Sequence, residues 1–405
     1  DGKYKWYYDY PKDEGYTITN NQNHGTHVAG TMVGKKNGSD THGVAYDAEI
    51  VGANVDKRNN GRISFGMAQM ALHDMAKLKQ PIENGGKGIN LIAINMSINS
   101  TSNFIEVRRD DNNEFIRDDD GSLKKFSTVT KLSDGTYKTW AITSRVQSDD
   151  GADNWKVATD NDIILVNSAG NDGWAHPIMP ANFATEENED GTLVLGGKMI
   201  IVGNWDPATK SNVGNLAGHV CLQVDVANNL CKDNYRTSDF YLMAPGEQVR
   251  NATTNGTPYG NMGGTSMAAP HVTGSLGILH QMWPHMKGEN LVKLVLDTAD
   301  KDLPGYHVNL HGQGLLDLDE ATKPQGAMGI VTTGRVDHPT VDIKDTYFTS
   351  GSGWISGLSD LNIMVIDDYD RDYYVNLGSS FVVVDKRKFS DVQMLMNNND
   401  TFLPQ

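Results

Sequence analysis

Gly263-Gly264-Thr265-Ser266-Met267-Ala268-Ala269-Pro270-His271 sets a serine between a Gly-Gly-Thr turn and a run of small residues that opens a helix. The two glycines reach backbone conformations closed to other residues and let a substrate come close. Ala268, Ala269 and Ser275, with Leu276, Ile278 and Leu279 around them, suit a tightly packed buried helix. A serine at a helix N-terminus is also a favoured N-cap. Ser266 therefore gains meaning only from what the rest of the chain sets beside it.

Two other stretches answer it. His24-Gly25-Thr26-His27-Val28-Ala29-Gly30-Thr31-Met32-Val33 has a helical pattern with small residues on one side. His24 stands where that helix begins and can project into a cleft, while His27, one turn further in, is expected to pack. Asn167-Ser168-Ala169-Gly170-Asn171-Asp172-Gly173 follows the apolar run IILV. An Asn beside Gly is ordinarily a turn. Residues 49–55, 90–97, 162–168, 199–203 and 241–244 read as strands, and residues 64–78 as a helix. Strands apolar on both faces and separated by helices indicate an α/β fold, a parallel β-sheet with helices on both faces. Ligands of such sheets gather beyond the carboxyl ends of the strands. His24, Asn171 and Ser266 are all expected at that edge. Acyl transfer needs such a set: a serine attacks, an imidazole takes and returns its proton, and an amide donor meets the oxyanion.

At 405 residues the chain can hold one large domain and a smaller one, and its net charge of −16 argues against nucleic acid or an anionic membrane as partners. No apolar run reaches the length of a membrane span, and no signal peptide stands at Asp1, so a mature or truncated product is expected. Cys221 and Cys231 are the only cysteines. Their spacing resembles no metal site, and a disulfide between them would close a short loop, worth about 3 kcal/mol in the chain-entropy model. Residues 100–153 carry charge runs and read as a solvated insertion. Oxygen-bearing side chains at Asn37, Asp40 and Asp47 suit either a calcium site or a solvated loop.

Three blocks resemble the subtilisin-type serine proteases: HGTHVAGTM at His24, NSAGNDG at Asn171 and GGTSMAAPHVTG at Ser266. Gly43-Val44-Ala45, Asn95-Met96-Ser97, Met179-Pro180-Ala181 and Met243-Ala244-Pro245-Gly246 add to the likeness, which covers roughly residues 16–318. The resemblance implies a secreted or cell-surface bacterial endopeptidase. Ser266 would be its nucleophile, His24 its general base and then acid, and the Asn171 amide its oxyanion donor beside the Ser266 N–H. The chemistry would need no cofactor, with calcium a structural option. Substrates would be proteins or peptides, and a propeptide or protein inhibitor a further partner. Ser97, Ile98 and Asn99 would pair with the substrate backbone, and Ser168, Ala169 and Gly170 would wall the primary pocket. Ile178 stands where relatives carry a small residue, implying a shallow pocket. The Met179–Pro180 bond is expected to be cis.

One part of the pattern departs. The family order is Asp, His, Ser, and no apolar strand followed by an Asp-(Ser/Thr/Asp)-Gly turn precedes His24. Residues 1–20, crowded with Tyr4, Trp6, Tyr7, Tyr8 and Tyr10, read as irregular or edge structure. The aspartate is expected upstream of the chain, with Asp1, or less favourably Asp9, as the alternative. Residues 1–323 are assigned to the peptidase domain and 324–405 to a β-rich C-terminal segment. Within the latter, DDYDRDYYVNL is similar to the segment that joins subtilisin-like passengers to the barrel of bacterial autotransporters, an accessory β module being the alternative. A scaffold without its aspartate could serve as an adhesin or binding module, but such a role needs none of His24, Asn171 and Ser266. An esterase reading lacks a Gly-x-Ser-x-Gly elbow.

Overall fold

A computed structural model of the chain describes residues 4–9, 23–38, 41–55, 63, 65–99, 130–131, 137–138, 151–174, 176–219, 224–225, 230–231, 233–254, 257–331, 340–342 and 362–376. It divides into two compact units. The first comprises Asp1–Met282 and Lys287–Ala321, the second Trp283–Met286 and Thr322–Gln405.

In the first unit, β1 (Tyr4–Asp9) pairs in parallel with β2 (Ile50–Asn54), Tyr8 opposite Ala53. The crowded aromatic residues thus form a strand, as their β-propensity favours. The main sheet holds β3 (Ala93–Met96), β4 (Ile164–Ser168), β5 (Met199–Asp206) and β7 (Tyr241–Pro245) in the order β7-β5-β4-β3, all parallel. A short β6 (Ser211–Asn212) turns back antiparallel on β5. Ile164, Leu165, Val166, Ile200, Ile201 and Val202 are fully buried. Continuous apolar runs without alternation follow from burial on both faces.

The helices described in this unit include α1 (Asn23–Val33), α2 (Phe65–Lys79), α3 (Lys156–Asp160), α4 (Thr265–Met282) and α5 (Gly288–Asp297). In α2 the buried Met67, Ala68, Ala71, Leu72 and Met75 recur at helical spacing and give it one apolar face. Trp155, fully buried, packs on the rings of Phe65 and Phe183 and ties the start of α3 to the core. A two-stranded antiparallel ribbon, β8 (Val249–Ala252) and β9 (Tyr259–Met262), leads directly into α4.

Pro270 lies inside α4 and lacks the N–H that would bond the carbonyl of Ser266 four residues back. Ser97 Oγ, just past β3, donates to that carbonyl at 2.8 Å. The first turn of α4 is thereby fastened to the carboxyl end of the sheet. Of the insertion, only Thr130–Lys131 pairing with Tyr137–Lys138 and residues 151–153 are described.

The second unit is a four-stranded antiparallel sheet in the order β11-β10-β12-β13, from β10 (Gly329–Val331), β11 (Thr340–Asp342), β12 (Asn362–Ile366) and β13 (Asp372–Asn376). The β12–β13 turn is built around Asp367. Its carboxylate accepts from the backbone N–H groups of Gln325, Tyr369 and Arg371 and from Arg371 Nε at 3.0 Å and Nη2 at 2.7 Å. Arg371 is wholly buried, with its guanidinium carbon 4.6 Å from the Trp283 ring and 5.5 Å from that of Tyr373. Residues 377–405 of the β-rich C-terminal segment lie outside the described residues.

Removing one member of a buried pair leaves the other charge uncompensated. Asp367→Ala is expected to destabilise this sheet by about 3–5 kcal/mol. Hydrogen exchange across residues 362–376 would report it, and unchanged protection would contradict the assignment of Asp367 as the turn's organiser.

Candidate functional site

The site grows from how α1 lies on α4. A Cβ on Gly274 of α4 would stand 2.7 Å from Val44 Cβ and 3.2 Å from the carbonyl oxygen of Met32 in α1. Only glycine permits that approach. Val33, Ala45 and Ile50 form a buried cluster that Ile278 of α4 joins. His27 interacts electrostatically with His271. His27 lies within electrostatic range of His271, Met32 meets Gly274, and Ile278 joins the cluster that holds Val33, so the levels ascend together and the two helices run parallel with their N-termini at the same end. At 1.5 Å per residue, His24 stands about 4.5 Å along its axis from the His27 level and Ser266 about 7.5 Å from the His271 level. Both therefore sit at one end of the pair.

His27, fully buried, sets α1 on the ribbon: its Nε2 lies 3.0 Å from Val249 O and 3.2 Å from Gly260 O. Two carbonyl acceptors require that this nitrogen carry the proton. Asn23 Oδ1 accepts from Thr254 N at 2.9 Å and holds the start of α1 to the same ribbon. The His24 side chain, next in the chain, is exposed. Its pKa is lowered below the ordinary imidazole value, first by desolvation and second by His27, and burial lowers that of His271 as well. Among the described residues no hydrogen bond or ion pair joins His24 to a carboxylate or to Ser266. Asp1 lies outside the described residues; Asp9 ends β1 opposite Asn54.

Ser266 is buried, in the first turn of α4. Gly264, two residues earlier, has φ +123°, a conformation that excludes most side chains. A Cβ there would stand 3.1 Å from both Nδ2 and Oδ1 of Asn171. The turn into the helix and the Asn171 amide thus lie in contact.

Thr265 fixes their relation. Its backbone N–H donates to Asn171 Oδ1 at 2.9 Å and its hydroxyl to the same oxygen at 3.0 Å, while the hydroxyl accepts from Gly170 N at 3.2 Å. A backbone N–H can only donate, so the atom facing it must be the amide oxygen. The Nδ2 group is left free to donate away from Thr265. Asn171 itself is exposed. An amide of fixed orientation beside a serine at a helix N-terminus is the arrangement that stabilises a developing oxyanion.

The flanking strand ends are bonded to one another. Asn99 Nδ2 donates to Ser168 O at 2.7 Å, Ser168 Oγ to Asn99 Oδ1 at 2.9 Å, and Asn167 Nδ2 to Ile98 O at 3.2 Å. Asn95 and Thr273 extend this to α4, through Asn95 Nδ2 to Ser97 Oγ and Thr273 Oγ1 to Asn95 Oδ1. Ser168, Ala169 and Gly170 are buried, and Ile178 packs where a Cβ on Gly170 would reach, 2.9 Å from its Cδ1 and Cγ1. Gly170 has φ +110°, and the Met179–Pro180 bond is cis.

Asn37 and Asp47 are exposed, and Asp40 lies outside the described residues. Among the described residues no group of three or more His, Cys, Asp or Glu side chains is placed to hold a metal ion. Cys231 ends a two-residue strand, and Cys221 lies outside the described residues. No helix among them is long and apolar enough to cross a membrane. Sequence reasoning passed over Thr265, although it adjoins Ser266, because a threonine in a glycine turn signals nothing until its acceptor is known. It passed over Asn215, whose neighbours in sequence carry no motif.

Comparison with known proteins adds the lineage. A family model described as the subtilase family of peptidases matches residues 1–315. An extracellular serine protease of Serratia marcescens is 25% identical over 366 residues, covering 81% of this chain and 29% of its own length. Fervidolysin of Fervidobacterium pennivorans is 24% identical over 360 residues, covering 88% of this chain and 41% of its own. The chain thus spans less than half the length of either relative. A solved cold-adapted subtilisin-like serine proteinase aligns with a TM-score of 0.47 at 18% identity, over 78% of this chain and 81% of that one.

Because desolvation disfavours the imidazolium, His24 is expected to titrate below the ordinary value of 6.5. The unfolded chain then takes up this proton first, so stability declines as pH falls below about 6.5, by an amount that solvent screening of this exposed residue keeps small. NMR titration of the His24 ring tests the direction, and should keep it in His27→Gln because desolvation is the larger cause. A midpoint above 6.5 in this chain would contradict the placement of His24.

Proposed function

The chain belongs to the subtilase family, and from that premise we propose that it is a secreted serine endopeptidase cleaving peptide bonds through an acyl-enzyme. The observation that carries the reading is the double hydrogen bond from Thr265 to Asn171 Oδ1, which fixes the amide oxygen and leaves the N–H₂ free to donate to another group.

In this reading Ser266 Oγ attacks the scissile carbonyl and His24 takes its proton. The oxyanion that forms is met by Asn171 Nδ2 and the Ser266 N–H. His24 then returns the proton to the leaving amine, and water, activated by the same imidazole, hydrolyses the acyl-enzyme. A lowered His24 pKa keeps the ring neutral, the form a general base needs. The imidazolium formed in the transition state requires a carboxylate at the other ring nitrogen. Within this sequence Asp1 is the candidate for that carboxylate.

The substrate backbone would pair along Ser97, Ile98 and Asn99 as an added strand, and the acyl-side residue would lie against Ser168, Ala169 and Gly170. Ile178, packed on Gly170, supports a shallow pocket that disfavours bulky side chains. The name of the S. marcescens relative supports an extracellular site of action, in which a Cys221–Cys231 bridge would persist.

A second reading, a binding module on an impaired protease scaffold, is favoured by one observation: among the described residues no carboxylate is bonded to His24. Fluorophosphonate labelling separates the two. The proposal expects labelling that Ser266→Ala abolishes, in this chain or in one extended at its N-terminus, and peptide cleavage favouring small acyl-side residues. No labelling of either form would support the binding module, and best cleavage after Phe or Tyr would overturn the shallow pocket.

A further inference from the structure

Asn171 sits in a turn whose backbone is bonded at four points by one residue. Asn215, fully buried, accepts from Asp172 N at 2.9 Å and Trp174 N at 3.0 Å through Oδ1, and donates from Nδ2 to Ala169 O at 3.2 Å. Its backbone N–H donates to Gly170 O at 2.9 Å. Bonds from a single residue therefore reach both sides of Asn171 while leaving Asn171 itself untouched. Gly170 makes room for this: a Cβ there would stand 2.4 Å from Asn215 Nδ2.

Asn215 is in turn held from below. The hydroxyl of buried Tyr241, on β7, donates to Asn215 O at 2.6 Å and accepts from Asn212 Nδ2 at 2.7 Å. Desolvation raises the Tyr241 pKa, keeping the phenol a hydrogen-bond donor across the ordinary pH range. The core of the sheet thus reaches the turn through Tyr241 and Asn215 in succession.

We infer that Asn215 is a positioning residue for the oxyanion donor, acting on catalysis through Asn171 rather than by touching substrate. This rests on Asn171 having the role proposed above. Thr265 orients the Asn171 side chain, and Asn215 fixes the backbone from which that side chain projects. A donor is effective only when already aimed at the place where charge develops. Freeing the turn lets the amide wander by a fraction of its hydrogen-bond length at the moment it is needed.

The test is a double-mutant cycle on kcat in the intact protein, with Asn171→Ala, Asn215→Ala and both together. Asn215→Ala is expected to lower kcat by about 10- to 10²-fold, the scale of a small misplacement. In the Asn171→Ala background the same substitution should lower it by less than about 2-fold, because the group it positions is gone. Equal factors in both backgrounds, or an unchanged kcat in Asn215→Ala, would overturn the inference while leaving Asn171 as the donor. An unchanged kcat in Asn171→Ala alone would overturn the proposed role of Asn171, and the inference with it. Should Asn215→Ala fail to fold, Asn215→Asp keeps the acceptors for Asp172 N and Trp174 N. It should then lose kcat only where Asn171 is present, and an equal loss in both backgrounds would again count against the inference.

Discussion

Thr265 presents two protons to one oxygen, Asn171 Oδ1, and this contact makes two distant pieces of chain a single site. Thr265 belongs to the first turn of the helix that carries Ser266, and Asn171 to the turn that follows β4. Sequence separates them by 94 positions. Their contact requires a glycine at 264, whose φ of +123° swings the chain into the helix and whose missing side chain leaves space for the amide. It also requires that the helix start not drift from the sheet. Pro270 leaves the Ser266 carbonyl without its helical donor and Ser97 supplies one. The serine is held from two directions, neither of which uses its hydroxyl.

Most of this architecture was legible because burial leaves a strong mark. Runs such as Ile164–Ser168 and Met199–Asp206 are apolar without alternation because both faces of the sheet are covered. The helical period of residues 64–78 reappears as the buried face of α2. Small residues in the His24 and Ser266 blocks are explained by the close parallel packing of α1 on α4, where Gly274 meets the backbone of α1. Residues 4–9 are harder to read, since a short aromatic strand paired with β2 shows no apolar alternation to mark it.

The polar groups divide differently. His24, Asn171 and Ser266 stood out as types whose chemistry fits together, but what orients them did not. Thr265, Asn215 and Tyr241 act through partners 26 to 94 positions away, and no local pattern encodes such a bond. Ser97 illustrates the difference in kind. Read as a residue that meets substrate, it is engaged by its hydroxyl in holding the Ser266 backbone. Similarly, DDYDRDYYVNL reads in the sequence as part of a β-rich segment, whereas in the fold its Asp367 and Arg371 are also buried against each other and against aromatic rings. That pairing has no local signature in the sequence.

The central claim is that Ser266 and Asn171 face one reacting carbonyl. The most direct measurement is a crystal structure of the protein after reaction with a peptidyl phosphonate. The account predicts phosphorus bonded to Ser266 Oγ, with one phosphonyl oxygen within hydrogen-bonding distance of both Asn171 Nδ2 and the Ser266 N–H. An adduct on Ser266 whose oxygens all point away from Asn171 would contradict it.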